Sequence, residues 1–185
     1  MKKIILSAVM LFMAMGLFAQ EQVSQVRTPS GYQGFLEYGN NWTVFDQNLS
    51  NTIGLTTTHG FYFNGHIYTG VGIGFDACRG FMAVPIYANL RYVILNKTVA
   101  SPFLSLRLGS YISKQVGAYG DFAMGVRFAS KRDFAVSIMA AISYYDKITY
   151  TDWEDYQDEL GHWHSGNIEK TIYPSSVSLR IGIEW

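Results

Sequence analysis

The chain has 185 residues with 14 Lys and Arg against 14 Asp and Glu, and it is 15% charged, 49% hydrophobic and 16% aromatic. That size fits one domain. So few charges speak against a disordered chain or a nucleic-acid-binding surface, and the single Cys78 excludes both an intramolecular disulfide framework and a multi-cysteine zinc site. No cofactor is expected, and the fold must hold itself together without staples.

Lys2 and Lys3 precede an apolar run from Ile4 to Phe18, followed by Ala19 and Gln20. This is the three-part pattern of a secretory signal peptide, so residues 1–19 are expected to be removed after Ala19. A membrane anchor is the competing reading, but the run falls short of the roughly 20 apolar residues a spanning helix needs. Residues 20–31 then form a polar leader, and residues 32–185 the folded domain. Losing the two lysines leaves twelve basic against fourteen acidic residues.

From here the signal is alternation with a period of two, in eight segments separated by turn residues, with no helical periodicity. The first segment, Gln33 to Tyr38, is the weakest. The second carries Ile53, Leu55, Phe61 and Phe63 on one face, and the third opposes Ile67, Val71, Ile73 and Phe75 to Tyr68, Gly70, Gly72 and Gly74. The fourth sets Val84, Ile86, Leu90, Tyr92 and Ile94 against Tyr87, Asn89 and Arg91; the fifth sets Leu104, Leu106 and Leu108 against Ser105, Arg107 and Gly109. Phe122, Met124, Val126 and Phe128 define the sixth, and Phe134, Val136, Ile138, Ile142 and Tyr144 the seventh. The eighth alternates most regularly, with Val177, Leu179, Ile181, Ile183 and Trp185 opposed to Ser176, Ser178, Arg180, Gly182 and Glu184.

Such alternation fits a soluble barrel with its apolar face inward or a transmembrane barrel with its apolar face toward lipid. The polar face decides between them. In a soluble barrel it would meet water and carry many Lys and Glu, whereas here it is mostly Gly, Ser, Ala, Tyr and Asn, which suits a narrow, filled interior. Segments of about ten residues also match tilted strands that span a bilayer. The expected fold is therefore all-β, an eight-stranded antiparallel up-and-down transmembrane β-barrel. The second, fourth and sixth connections, Asn64-Gly65, Asn96 to Ala100 and Ser130 to Asp133, are short, and the first and seventh, Asn40 to Ser50 and Lys147 to Tyr173, are long, an imperfect alternation because the third and fifth are short too.

These residues resemble the small eight-stranded outer-membrane barrels of Gram-negative bacteria, the OmpX and OmpA transmembrane-domain type of the porin family. The strand Ser176 to Trp185 carries the most specific part of the likeness, together with the run from Val84-Pro85-Ile86-Tyr87 through Leu90-Arg91-Tyr92 to Ser101-Pro102-Phe103. The resemblance implies residence in the outer membrane as part of the cell envelope, with both chain ends and the leader in the periplasm. It also implies that Trp185 is read by the barrel-assembly machinery, so the expected partners are outer-membrane lipid, that machinery and a surface or envelope protein.

The polar face places Glu37, Arg91, Arg107, Asp121, Arg127, Arg180 and Glu184 in the interior, which in an eight-stranded barrel holds little more than its own side chains. They read as a salt-bridged structural plug, with Glu37 and Arg180 expected to pair; a narrow ion path would have to pass Tyr68, Tyr87, Tyr111 and Tyr119. Asp146 and the connection from Lys147 to Tyr173 together hold half of all the acids, interleaved with aromatics. Its β-rich flanks predict a two-stranded fin, Lys147 to Thr151 against Ile168 to Tyr173, with an acidic aromatic tip from Asp152 to His164. Trp153, Tyr156, His162, Trp163 and His164 are the candidate partner contacts. The His162-x-His164 pair supplies only two metal ligands, so no metal site is assigned. His59 falls on the lipid-facing set without a serine and acid at convincing spacing, which reads as an interface residue and leaves a lipid-modifying enzyme as the remotest alternative. The facing assignment is directly testable. Ile181→Arg places a charge toward lipid at a cost of about 2–4 kcal/mol near the midplane and should abolish most heat-modifiable folded protein, whereas Ser178→Arg, on the opposite face of the same strand, should be far milder.

Overall fold

A computed structural model describes residues 30–43, 51–78, 81–95, 99–112, 117–131, 134–146, 148–157, 163–172 and 175–185. The expected signal peptide, most of the leader and His162 lie outside them. Eleven strands are described in chain order: β1 (Gly31–Thr43), β2 (Thr52–Phe63), β3 (Ile67–Cys78), β4 (Phe81–Ala83), β5 (Pro85–Val93), β6 (Ala100–Tyr111), β7 (Ala118–Lys131), β8 (Phe134–Tyr145), β9 (Ile148–Gln157), β10 (Trp163–Ile172) and β11 (Ser175–Glu184). Antiparallel pairing runs β2-β1-β11-β8-β7-β6-β5-β3, and β3 pairs back onto β2, which closes a barrel of eight strands. The short β4 continues the line of β5 along β3, where Met82 lies opposite Ala77.

Alternation explains the closure. Every barrel strand presents apolar side chains outward, among them Val71, Leu108, Ile142, Leu179 and Ile181, each at least half exposed. A continuous exposed apolar band of this kind is what a bilayer covers. Val126 is the exception in its row: flanked by Pro102 and Ile138 across the ladders, it retains only 7% exposure. The Asn64-Gly65 pair turns the chain between β2 and β3 with both residues at positive φ, 54° and 69°, and the His66 N–H donates to the Phe63 carbonyl. Asn and Gly tolerate that region, so this dipeptide favours the turn whose twist matches paired strands.

Ala100 and Ser130, read as connection residues, lie inside β6 and β7, and two larger differences from the sequence expectation stand beside them. The segment expected to be weakest is β1, thirteen residues long, and Asn40 and Asn41, read as the start of a long loop, belong to it. Asn41 pairs with Ser178 on one side and Thr52 on the other, so two ladders override the low strand propensity of asparagine. The fin is the second difference. It forms between the expected flanks, whose end residues Lys147 and Tyr173 lie outside the described residues, with Ile148 opposite Ile172, but continues to Gln157 opposite Trp163, so Trp153, Tyr156, Trp163 and His164 sit in the ladder and not at a tip. Once the flanks are paired, each further rung needs no new loop closure.

The seam between β1 and β11 extends one residue past β11. Gly34 and Trp185 exchange backbone hydrogen bonds of 2.9 and 3.1 Å, and the Trp185 indole lies where a side chain on Gly34 would stand, with Cε2 2.8 Å from an ideal Cβ. Gly34→Leu should therefore displace the indole and loosen the seam. We expect a lower yield of heat-modifiable barrel and an unfolding free energy in urea reduced by about 1–3 kcal/mol through overpacking, while Leu36→Ala on the same strand keeps the seam intact.

Candidate functional site: the interior and the external fin

Inward-facing residues fill the barrel in three layers. Nearest the end that carries the Asn64-Gly65 turn, Phe35, Tyr62, Tyr68, Val93, Phe103 and Met139 form a buried apolar floor, with the Phe35 and Tyr68 rings 4.6 Å apart and Tyr62 and Tyr68 5.1 Å apart. Arg91 enters the floor between two rings, its guanidinium carbon 4.3 Å from the Phe35 centroid and 4.2 Å from that of Phe103. Flat, weakly hydrated and permanently charged, a guanidinium suits such a slot better than an ammonium would.

The second layer is an ion lattice. Arg91 donates from Nη1 to Glu184 Oε1 and from Nη2 to Glu37 Oε1, each at 2.8 Å. Arg107 Nη2 donates to the second oxygen of Glu37, and Arg127 Nε donates to the second oxygen of Glu184 at 2.5 Å. All four oxygens of the two glutamates are thus held by arginines, and the participating side chains are at most 3% exposed. Glu37 stands opposite Gly182 across the seam, and a Cβ there would come 2.9 Å from its Cγ, so the glycine makes room for the carboxylate.

Arg180 is the correction. Its expected partner was Glu37, but it holds Asp121 in a two-point grip, Nη1 to Oδ1 at 2.9 Å and Nη2 to Oδ2 at 2.6 Å, while Ser143 donates to Oδ2 at 2.7 Å. The register explains this. Arg180 lies opposite Gly39, one lumenal position beyond Glu37, and both Glu37 oxygens are already taken. Asp76 is the buried acid that the sequence reading omitted. It continues the inward set Gly70, Gly72, Gly74 by one step of alternation, and it accepts from the Tyr111 hydroxyl at 2.5 Å.

Above the lattice the lumen widens into a vestibule of about 410 Å³, counted with its open mouth and lined by Asn41, Asp76, Tyr111, Tyr119, Tyr145 and Arg180 among others. Tyr87 crosses below it, donating to or accepting from Thr58 at 2.8 Å and lying 5.0 Å from the Arg107 guanidinium. Beyond the barrel stands the fin, where the Thr149 and Thr171 hydroxyls meet at 3.0 Å. Trp153 lies opposite Asn167, Tyr156 opposite His164, and Trp163 opposite Gln157. Among the described residues no group of three or more His, Cys, Asp and Glu converges on a metal-sized site.

Removing one partner of a buried pair leaves an uncompensated charge, at a cost of about 3–5 kcal/mol. We expect Arg91→Met, which strips one oxygen contact from each glutamate, to lower the urea stability of the barrel by that order. A double-mutant cycle between Asp121 and Arg180 should show coupling of about 1–3 kcal/mol, clearly larger than that between Glu37 and Arg180, which make no ion pair. Equal coupling in both cycles would contradict the pairing.

No protein-family model and no curated protein matches the sequence. Solved structures do match the fold. Neisserial surface protein A aligns at a TM-score of 0.54 and 14% identity over 83% of this chain and 94% of its own. A de novo designed transmembrane β-barrel aligns at 0.50 and 9% identity over 85% of this chain and 95% of its own. The N-terminal β-barrel domain of Pseudomonas aeruginosa OprF aligns at 0.49 and 10% identity over 85% of this chain and all of that domain. Closed by eight antiparallel strands and banded with apolar residues, the chain has the fold of the small outer-membrane β-barrels.

Proposed function

We propose that the protein is a non-enzymatic resident of the bacterial outer membrane, exported through a cleaved signal peptide at residues 1–19, with a plugged lumen and a surface-interaction role carried by its fin. Both chain ends and the short Asn64-Gly65 turn then face the periplasm, and β9 and β10 face outward. The observation that carries the reading is the obstruction of the lumen at two successive levels, by the aromatic floor around Arg91 and by the lattice above it. A solute entering the vestibule meets Tyr87 and Arg107 and then paired guanidinium and carboxylate groups with no open oxygen on either glutamate. The charges of Glu37, Arg91, Arg107, Asp121, Arg127, Arg180 and Glu184 serve stability in this account.

The non-enzymatic part is supported by how the interior and the lipid face use their polar groups. The lumenal carboxylates of Glu37, Glu184 and Asp121 are engaged by arginines and Asp76 by the Tyr111 hydroxyl, and His59 on the lipid face has Tyr32 and Thr57 as its partners. The fin is the built structure that reaches past the barrel, a ten-rung ladder whose outer edges offer backbone groups to an added strand. Its acids, Asp152, Glu154 and Asp155 on β9, discourage indiscriminate edge pairing.

In planar bilayers the protein should show no single-channel steps, and an Arg107→Ala, Tyr87→Ala double variant should show small ones as the lattice loosens. Replacing residues 148–172 by a four-residue turn should leave a heat-modifiable barrel, because the eight-stranded ring does not depend on the fin, while depleting the proteins captured with it from native membranes. Open-channel steps in the unaltered protein, or capture indifferent to the fin, would overturn the respective half of the reading.

A further inference from the structure

The outward faces of β1, β2 and β11 carry no charged side chain among the described residues, yet one polar cluster interrupts them near the Asn64-Gly65 end. Tyr32 Oη lies 2.6 Å from His59 Nδ1, and His59 Nε2 lies 3.0 Å from Thr57 Oγ1. Thr57 gives its only hydroxyl proton to the Phe35 carbonyl at 3.1 Å, so toward His59 its oxygen must accept. That assigns the direction of the whole chain of hydrogen bonds: Nε2–H donates to Thr57, and Nδ1 accepts from the Tyr32 hydroxyl. In its neutral form the imidazole has no ring nitrogen left over, and the Tyr32 proton is committed as well.

What the cluster shows to the membrane is therefore specific. The Tyr32 oxygen keeps lone pairs as an acceptor, and the ring is 55% exposed, braced edge-on by Phe61 at 5.8 Å and stacked beside His59 at 6.0 Å. On the other side of His59, Trp185 stands edge-on at 6.2 Å and 45% exposed, its indole N–H without a partner among the described residues. One acceptor with π faces and one separate neutral donor match a ligand that carries a cation with N–H groups next to an anion with acceptor oxygens. An anionic headgroup alone would call for Lys or Arg, which these three outward faces lack.

We propose that Tyr32 and Trp185, held in place through His59, form a binding site for a zwitterionic phospholipid headgroup with a primary ammonium. The ammonium donates to the Tyr32 oxygen and lies against the aromatic faces, and the phosphodiester accepts from the Trp185 indole N–H. The inference rests on the membrane reading above and names the lipid chemistry that one stretch of the apolar band selects. Tyr32 and Trp185 contact the ligand; His59 and Thr57 position Tyr32 by fixing where its proton goes.

Native mass spectrometry of the full chain in detergent tests this, with phosphatidylethanolamine, phosphatidylcholine and phosphatidylglycerol of matched acyl chains as the probes. We expect one phosphatidylethanolamine to be retained about tenfold more tightly than phosphatidylglycerol, the scale of one hydrogen bond to a charged group. Phosphatidylcholine, whose quaternary nitrogen has no N–H, should fall between them. Tyr32→Phe, which keeps the ring and removes the acceptor, should erase the advantage of ethanolamine over choline, while Tyr144→Phe on β8 leaves it unchanged; heat-modifiable mobility confirms that both variants fold. Equal retention of the three lipids, a preference for the anionic one, or an ethanolamine advantage that survives Tyr32→Phe overturns the proposal. Failure of the protein to insert into vesicles of any of the three lipids would instead overturn the membrane reading on which it rests.

Discussion

Two carboxylates set the conditions for everything inside this barrel. Glu37 and Glu184 lie on the two strands that must meet to close it, and the register places them beside each other, Glu37 opposite Gly182 and Glu184 opposite Phe35. Closing the seam therefore drives two like charges together in a water-poor space, which is unfavourable without counterions. The counterions come from the far wall: Arg91 on β5, Arg107 on β6 and Arg127 on β7, separated from their partners by 93, 70 and 57 residues in the chain. Neither side is satisfied until the other arrives. Closure of the seam and formation of the opposite wall are thus one event, and a half-closed barrel is penalised on both sides.

Charge balance follows from the same constraint. Four arginines and four carboxylates occupy the interior among the described side chains, Asp76 and Asp121 making up the count on the acidic side. Space is shared out as strictly as charge. Large lumenal residues stand against small ones: the Tyr87 ring fills the place above Gly72, the Arg180 stem that above Gly39, and Glu37 that above Gly182. Gly39 and Gly182 sit on the seam itself, so the strands that close the barrel are also those that accommodate the lattice. Large and small lumenal residues interlock on the same walls that the ion lattice ties together.

How far this was legible in the sequence depends on which coordinate is asked for. Alternation reports the facing of a residue, and it placed Arg91, Arg107, Asp121 and Glu184 inward without any structure. It would have placed Asp76 as well, had the inward set Gly70, Gly72, Gly74 been followed one step farther. Height along the barrel axis is another matter. It depends on the stagger between strands, which is set by turns and bulges such as the irregularity between Ala129 and Lys131, and a one-dimensional pattern does not carry it. Glu37 and Arg180 have the right facing on adjacent strands and still do not pair, because Arg180 sits opposite Gly39 and Asp121 reaches it from β7. β1 was hard to read for a further reason: its inward face mixes Gln33, Phe35, Glu37, Gly39 and Asn41, so neither face is uniformly apolar or polar. The hydrogen-bond chain through His59 was invisible because it joins Tyr32, Thr57 and Phe35 across two strands.

The fin follows from the same economy of pairing. β8 and β11 are neighbours in the ring, with Ser175 opposite Tyr144 at its outer end, and the chain that connects them resumes the same antiparallel course as β9 and β10. Its first rungs, Ile148 with Ile172 and Thr149 with Thr171, inherit an alignment already fixed by ten residues of ladder below. Starting a hairpin is the expensive step, and here the barrel has performed it. The interior, by contrast, holds Glu37, Glu184 and Asp121 against arginines, so a ligand for those three carboxylates would have to break an existing ion pair before making its own. Recognition is more readily accommodated where polar groups retain free valence, at the strand edges of the fin and at the Tyr32 oxygen and Trp185 indole on the lipid face.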